Sequence, residues 1–210
     1  NNINGVNTDI IVSGVSNNFS GTNRSNFFNQ LYRYPVTSKG TPLRYAMDVV
    51  GQYFQRTDIG GPWQNTSNSG SASTDQASCR QNYHIMMTDG TWNGSGASGG
   101  AAANVDGTNG STMTAADGRT YRYRTTGSDY SGPSGSYTVN ERQYADNNSD
   151  TLADVAMYYW VNDLRPLWPT SKKNVPTNAS DPAFWQHLVT YTVGLGVVGT
   201  LDPEVDLPAL

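Results

Sequence analysis

The stretch Asn82-Tyr83-His84-Ile85-Met86-Met87-Thr88-Asp89-Gly90 limits the choice of fold more than any other part of this 210-residue chain. Its apolar run is short, follows the mostly polar Ser78 to Asn82 and stops at Asp-Gly. It therefore reads as a buried strand whose last side chain emerges into a crevice, as strands of open α/β sheets do at their ligand-binding edge. A carboxylate at Asp89 can hold a hard cation such as Mg²⁺ directly or through water. It can equally be a solvated turn residue before Gly90.

A second segment bears on the same choice. Lys39-Gly40-Thr41-Pro42 precedes a run with apolar residues at Leu43, Ala46, Met47, Val50, Tyr53 and Phe54. That spacing predicts a helix over 43–56, with Thr41 as N-cap and Pro42 as first helical residue. A threonine hydroxyl at such a place serves as a cap or as a hard-cation ligand.

The Gly-Thr-Pro-Leu helix start, followed after an insert by Ile-Met-Met-Thr-Asp-Gly, resembles the second and third motifs of the metal-ion-dependent adhesion site (MIDAS) of von Willebrand factor A domains. More narrowly, the chain resembles the N-terminal region of PilY-type proteins, the adhesins and assembly factors of the type IV pilus tip. The stretches that carry the likeness are GTPLRYAMDVVGQYFQR, SCRQNYHIMMTDGTWN, ADNNSDTLADVAMYYWVNDLRP and NVPTNASDPAFWQHLVTYTVGLGVVGTLDP. They span most of Lys39 to Pro203 apart from Gly/Ser-rich inserts. The resemblance implies an α/β, von Willebrand A-like (Rossmann-like) fold with a doubly wound, mainly parallel sheet. It implies Thr41 and Asp89 as metal ligands for Mg²⁺ or another divalent cation.

The adhesion site also needs an Asp-x-Ser-x-Ser motif on the opening strand, and the chain has none. The nearest string, Asp129-Tyr130-Ser131-Gly132-Pro133-Ser134, sets its second serine one residue late and lies in a turn-rich segment. The resemblance places the missing strand upstream, so residues 1–210 are expected to be a partial domain of a longer protein.

Composition agrees with an extracellular setting. Charged residues make up 14% of the chain and glycine numbers 22, so solubility rests on neutral polar groups. The formal charge of -4 leaves no electrostatic footprint for nucleic acid. No run approaches the ~20 apolar residues of a membrane span, and no signal peptide is visible at the N-terminus. Cys79 is the sole cysteine. It pairs with a thiol outside this chain or is a buried free thiol.

Further elements follow from pattern. Asp9 to Val12 reads as a strand and Ser25 to Tyr34 as a short helix with Phe27, Phe28, Leu31 and Tyr32 on one face. A polar loop covers 60–78. From Gly90 to about Gln143 runs an insert of about fifty residues, expected to stay outside the core. It combines Gly/Ala/Ser low complexity over 94–103 with two tyrosine-rich pieces, 120–124 and 136–139, expected to form a hairpin. It is a lid or recognition loop, with Tyr121, Tyr123, Tyr130 and Tyr137 as contact residues, or a decorative surface loop.

Thr151-Leu152-Ala153-Asp154 predicts a capping box and a helix with Leu152, Val155, Ala156, Tyr159 and Trp160 on its apolar side. Immediately before it, Asp146, Asn148, Asp150 and Asp154 take alternate oxygen-ligand positions of a calcium loop. Thr151 stands where that loop wants Gly, and no Glu closes it, so helix capping competes with Ca²⁺ binding. His187 to Val198 reads as a second buried strand, the neighbour of the Thr-Asp-Gly strand in the resembled fold.

His84 and His187, the only histidines, fit satisfied structural roles better than a catalytic base. No phosphate loop and no His-Glu-x-x-His string occurs. The expectation is a non-enzymatic surface module: ligand capture at a divalent-cation site of the pilus tip, from a host or abiotic surface. The alternatives are a metal-independent structural cap docking on minor pilins, and a glycan-active enzyme built on paired aspartates.

Overall fold

The computed structural model describes residues 2–3, 6–7, 19–33, 40–57, 61–63, 76–132, 135–139, 146–178 and 180–196. The expected strand at Asp9 to Val12, the loop over 64–75 and the end of the last strand at Val197-Val198 lie outside them. So does the Tyr137 side chain.

The elements run β1 (Asn2–Ile3), β2 (Val6–Asn7), α1 (Gly21–Arg33), α2 (Leu43–Phe54), β3 (Tyr83–Thr88), β4 (Met113–Thr114), β5 (Thr120–Arg122), β6 (Ser128–Gly132), β7 (Gly135–Val139), α3 (Leu152–Val161) and β8 (Val189–Gly194). β1 and β2 pair antiparallel. The fold is mixed α/β. β3 and β8 pair in parallel, from Tyr83 opposite Val189 to Thr88 opposite Gly194. β4, β5, β6 and β7 form an antiparallel sheet in chain order. Among the described residues, the doubly wound parallel sheet expected from the resemblance is represented by the β3–β8 pair alone.

α2 and α3 pack against each other and against β3. Leu43 and Met47 from α2, Met86 from β3, Val155 and Tyr159 from α3, and Trp63, Leu164 and Leu188 form one core cluster. The close approach of the helices explains Gly51, where a Cβ would run into the Tyr159 ring. Trp63 donates through its indole to the Phe54 carbonyl at 2.7 Å, fastening its segment to the end of α2.

A second cluster joins Met113, Ala115, Tyr121 and Tyr123 of the insert to Val161, Ala183, Phe184 and Trp185. α3 thus contributes to both cores. The stretch Ala183-Phe184-Trp185-Gln186-His187-Leu188 is buried at every position, each residue 1% exposed or less. This irregular spine enters β8 through a bond from Leu188 N–H to the Tyr159 carbonyl at 2.9 Å. Gln186 satisfies its buried side-chain NH2 by donating to the carbonyls of Ser78 and Lys172, at 2.7 and 2.6 Å, while its side-chain oxygen is buried without a partner.

Three expectations are corrected here. The insert is core: it supplies four of the residues of the second cluster. Its two tyrosine-rich pieces do not pair with each other, because β6 lies between β5 and β7. β3 is buried on one face only: Met86 is covered, while Tyr83, Ile85 and Met87 are exposed, beside Tyr191, Val193 and Leu195 at β8. An apolar run alone could not show this, since a two-sided buried strand and a strand with one apolar face uncovered look alike in sequence.

Candidate cation-binding edge

β3 ends at Thr88, and Asp89 follows as an exposed residue. Gly90 takes a φ of 113°, a conformation that side-chain-bearing residues rarely adopt, and its N–H donates to the Thr88 hydroxyl at 3.1 Å. The turn delivers the chain back to the start of α2. There Thr41 N–H donates to the Asn93 side-chain oxygen at 2.9 Å, and Asn93 N–H donates to the Thr41 carbonyl at 3.0 Å. Gly40 is required beside this clasp, because a Cβ would strike the Asn93 side-chain oxygen.

The helix start differs from expectation in one respect. Pro42 holds the N-cap position and no side chain caps the helix. The Thr41 hydroxyl is therefore not used as the cap, since the clasp places Thr41 one residue further out. Arg44 in the first turn is neutralised by Asp150, at 2.7 Å.

That ion pair also engages one residue of the calcium loop read in the sequence. Asp150 gives its carboxylate to Arg44 and to the N–H of Ala97, at 2.7 and 2.9 Å. Asp154 accepts from Thr151 N–H and hydroxyl, at 3.0 and 2.8 Å, completing the expected capping box. Its other oxygen accepts from the N–H groups of Val105 and Asp106, at 2.7 and 3.4 Å. Asp146 accepts from Asn148 N–H at 2.6 Å. The structure does not bring Asp146, Asn148, Asp150 and Asp154 together as one ligand set. Among the described residues no group of three or more His, Cys, Asp or Glu side chains is placed to hold a metal ion.

A third carboxylate works the same way. Asp48 of α2, 1% exposed, accepts from the Tyr159 hydroxyl at 2.5 Å and from the Ser98 N–H and hydroxyl at 3.0 and 2.7 Å. Burial and the Asp48 charge push the Tyr159 hydroxyl far above its ordinary range, so it remains a donor. Asp48, Asp150 and Asp154 thus strap Ser98, Ala97 and Val105 of the insert onto the two helices. Sequence reasoning missed Asp48 and this shared role, because helix periodicity says nothing of a partner on a distant segment.

The insert tyrosines are corrected accordingly. Tyr121 and Tyr123 are each 1% exposed. Tyr123 donates to the Asp106 carbonyl at 2.6 Å, and the Tyr121 ring packs 5.0 Å from that of Trp185. They are core residues, with no surface to offer a ligand. Tyr130 is half-buried against the same cluster. Asp129 of the near-match to Asp-x-Ser-x-Ser lies on β6 and is ion-paired with Arg124.

The letters of Gly94-Ser95-Gly96-Ala97-Ser98-Gly99-Gly100 match both a dinucleotide fingerprint and a nucleophile elbow. Neither context is present: the stretch leads into a four-residue 3-10 turn, and Ser98 donates its hydroxyl to Asp48. His187 is buried with both ring nitrogens engaged, by the Trp185 carbonyl at 2.7 Å and Asp181 at 2.9 Å. His84 is pushed below its ordinary range by burial. Cys79 is exposed, which removes the buried-thiol reading.

Comparison with known proteins agrees with the resemblance to PilY-type proteins. Over 202 residues, 90% of the chain, it is 36% identical to "Type IV pilus biogenesis factor PilY1" of Pseudomonas aeruginosa strain PAO1. This chain belongs to the PilY1-type family. A PilY1 of strain PAK is 38% identical over 91% of the chain, and one of strain UCBPP-PA14 is 36% identical over 85%. The chain spans only 15%, 16% and 14% of these three PilY1 proteins. No protein-family model matches it, and no solved structure matches it significantly.

Proposed function

We propose that this chain serves type IV pilus biogenesis and surface adhesion as a von Willebrand A-like module outside the cell, at the pilus tip, capturing ligand through a divalent cation. The observation that carries this reading is the Asn93 clasp, which holds the loop after Asp89 against Thr41. An exposed carboxylate and a hydroxyl not used as the helix cap are hard oxygen donors that suit Mg²⁺ or a similar ion. They are two of the ligands such a site needs; in the resembled adhesion site an Asp-x-Ser-x-Ser motif provides the others. The bound cation would offer an open position to an acidic group of the ligand, with its charge as the main attraction.

Thr41→Ala and Asp89→Ala, introduced into the full-length protein, leave thermal unfolding unchanged and reduce cation-dependent surface binding by at least about tenfold. Binding equal to wild type in both variants would remove the site from the proposal.

A structural reading has its own support. The exposed face formed by Tyr83, Ile85, Met87, Tyr191, Val193 and Leu195 is apolar enough to seat a neighbouring protein surface. In that reading the module caps the pilus by docking on minor pilins and needs no metal. Chelation separates the two: capture through the site is lost in EDTA, whereas docking persists.

A further inference from the structure

Asp106 presents a different problem from the other buried aspartates. It is 4% exposed, and both carboxylate oxygens lie out of solvent without accepting a hydrogen bond. The backbone N–H groups of Asp146 and Gly107 lie near it, the latter bonded to the Asn104 side-chain oxygen. The charged groups acting on it, Asp154 and Asp146, are both anionic. A buried, unpaired carboxylate costs several kcal/mol, so such a group is matched by a proton or by a cation.

The surroundings are built rather than loose. Asn104 seals the turn that carries Asp106, accepting from Gly107 N–H at 2.6 Å and donating to the Asp146 carbonyl at 3.3 Å. Tyr123 fixes the Asp106 carbonyl from below, and Asp154 accepts the Asp106 N–H. Asp154 already receives four donors, so it contributes charge rather than a ligand oxygen. Asp146 uses one carboxylate oxygen for Asn148.

We propose that Asp106 and Asp146 hold a calcium ion at the junction between the insert and the start of α3. Asp106 supplies two oxygens and Asp146 its remaining one, while backbone carbonyls and water complete a shell of the 6–8 oxygens calcium takes. Two direct carboxylates with neutral oxygens suffice, so the site needs no cluster of three acidic ligands. It differs from the linear loop read in the sequence, because its central ligand comes from the insert. The ion locks the insert to α3 and matches the negative charge that Asp106, Asp146 and Asp154 concentrate there. This inference is independent of the Thr41–Asp89 reading.

The test is calcium titration by calorimetry of the full chain after chelator stripping, with thermal unfolding in parallel. Wild type is expected to bind calcium, and its unfolding midpoint to rise with it. Asp106→Asn and Asp146→Asn each weaken binding at least about tenfold, while Asp89→Ala leaves this site intact. Asp106→Asn keeps the shape of the side chain and removes repulsion, so it folds. A wild type that takes up no calcium, with Asp106→Asn raising the midpoint equally in EDTA and in calcium, overturns the proposal in favour of a protonated Asp106. Binding by Asp106→Asn equal to wild type also overturns it.

Discussion

Four of the buried or half-buried aspartates that organise this chain differ in what meets their charge. Asp48 has four hydrogen-bond donors, Asp154 has four, and Asp181 has His187, Trp160 and the Ala183 N–H, whereas neither carboxylate oxygen of Asp106 accepts a hydrogen bond. Burial alone would raise the Asp181 carboxyl, but the hydrogen bond and charge of His187 outweigh it and hold the group below its ordinary value of 3.8. A folded-state value below the unfolded one means a stabilisation present above the unfolded value and lost as pH falls through the folded one. Wild type and Asp181→Asn are therefore expected to differ in unfolding midpoint at pH 6 and to converge as the pH falls well below 3.8. Thermal scans across that range check it, and a gap that persists at low pH contradicts it.

At the scale of elements, α3 is the hinge of the architecture, and its first turn carries more than helix capping. Thr151 and Asp154 close a reciprocal box, and Asp154 also anchors Val105 of the insert. Thr151→Ala leaves Asp154 without its hydroxyl donor and α3 without a cap. The expected loss is about 1–2 kcal/mol, read from the urea midpoint at unchanged slope. A loss under about 0.3 kcal/mol would mean that the cap is replaced by water. The Thr151 box was legible in sequence because a cap and its partner lie within one turn. The uncapped start of α2 was not, since the clasp that displaces Thr41 comes from Asn93, beyond an intervening strand.

At the scale of the whole molecule, the insert is a second core rather than an appendage. Tyr121 packs on Trp160 and Trp185 at ring separations of 5.7 and 5.0 Å. Truncation there leaves a cavity between the antiparallel sheet and α3. Tyr121→Ala is expected to cost about 3–5 kcal/mol in chemical denaturation, whereas a surface contact residue would cost under about 0.5 kcal/mol. The exposed apolar face at β3 and β8 marks the opposite side of the molecule's logic: surface that no described element covers and that another protein surface can use. Both facts concern pairs of segments far apart in the chain.

Local signals settled the helices over Leu43–Phe54 and Leu152–Val161, the strand ending at Thr88, and the box at Thr151, because each rests on residues within a few positions of one another. The four longer stretches between Lys39 and Pro203 likewise carried the PilY-type family. Folding alone decided which aspartates hold the insert, that Tyr121 and Tyr123 face inward, and that β3 keeps one face uncovered. Those outcomes depend on contacts such as Asp48 with Tyr159, 111 residues apart, whose partners no periodicity or spacing encodes. A tyrosine offers the same apolar area to a core and to a ligand, and only the packing around it chooses between them.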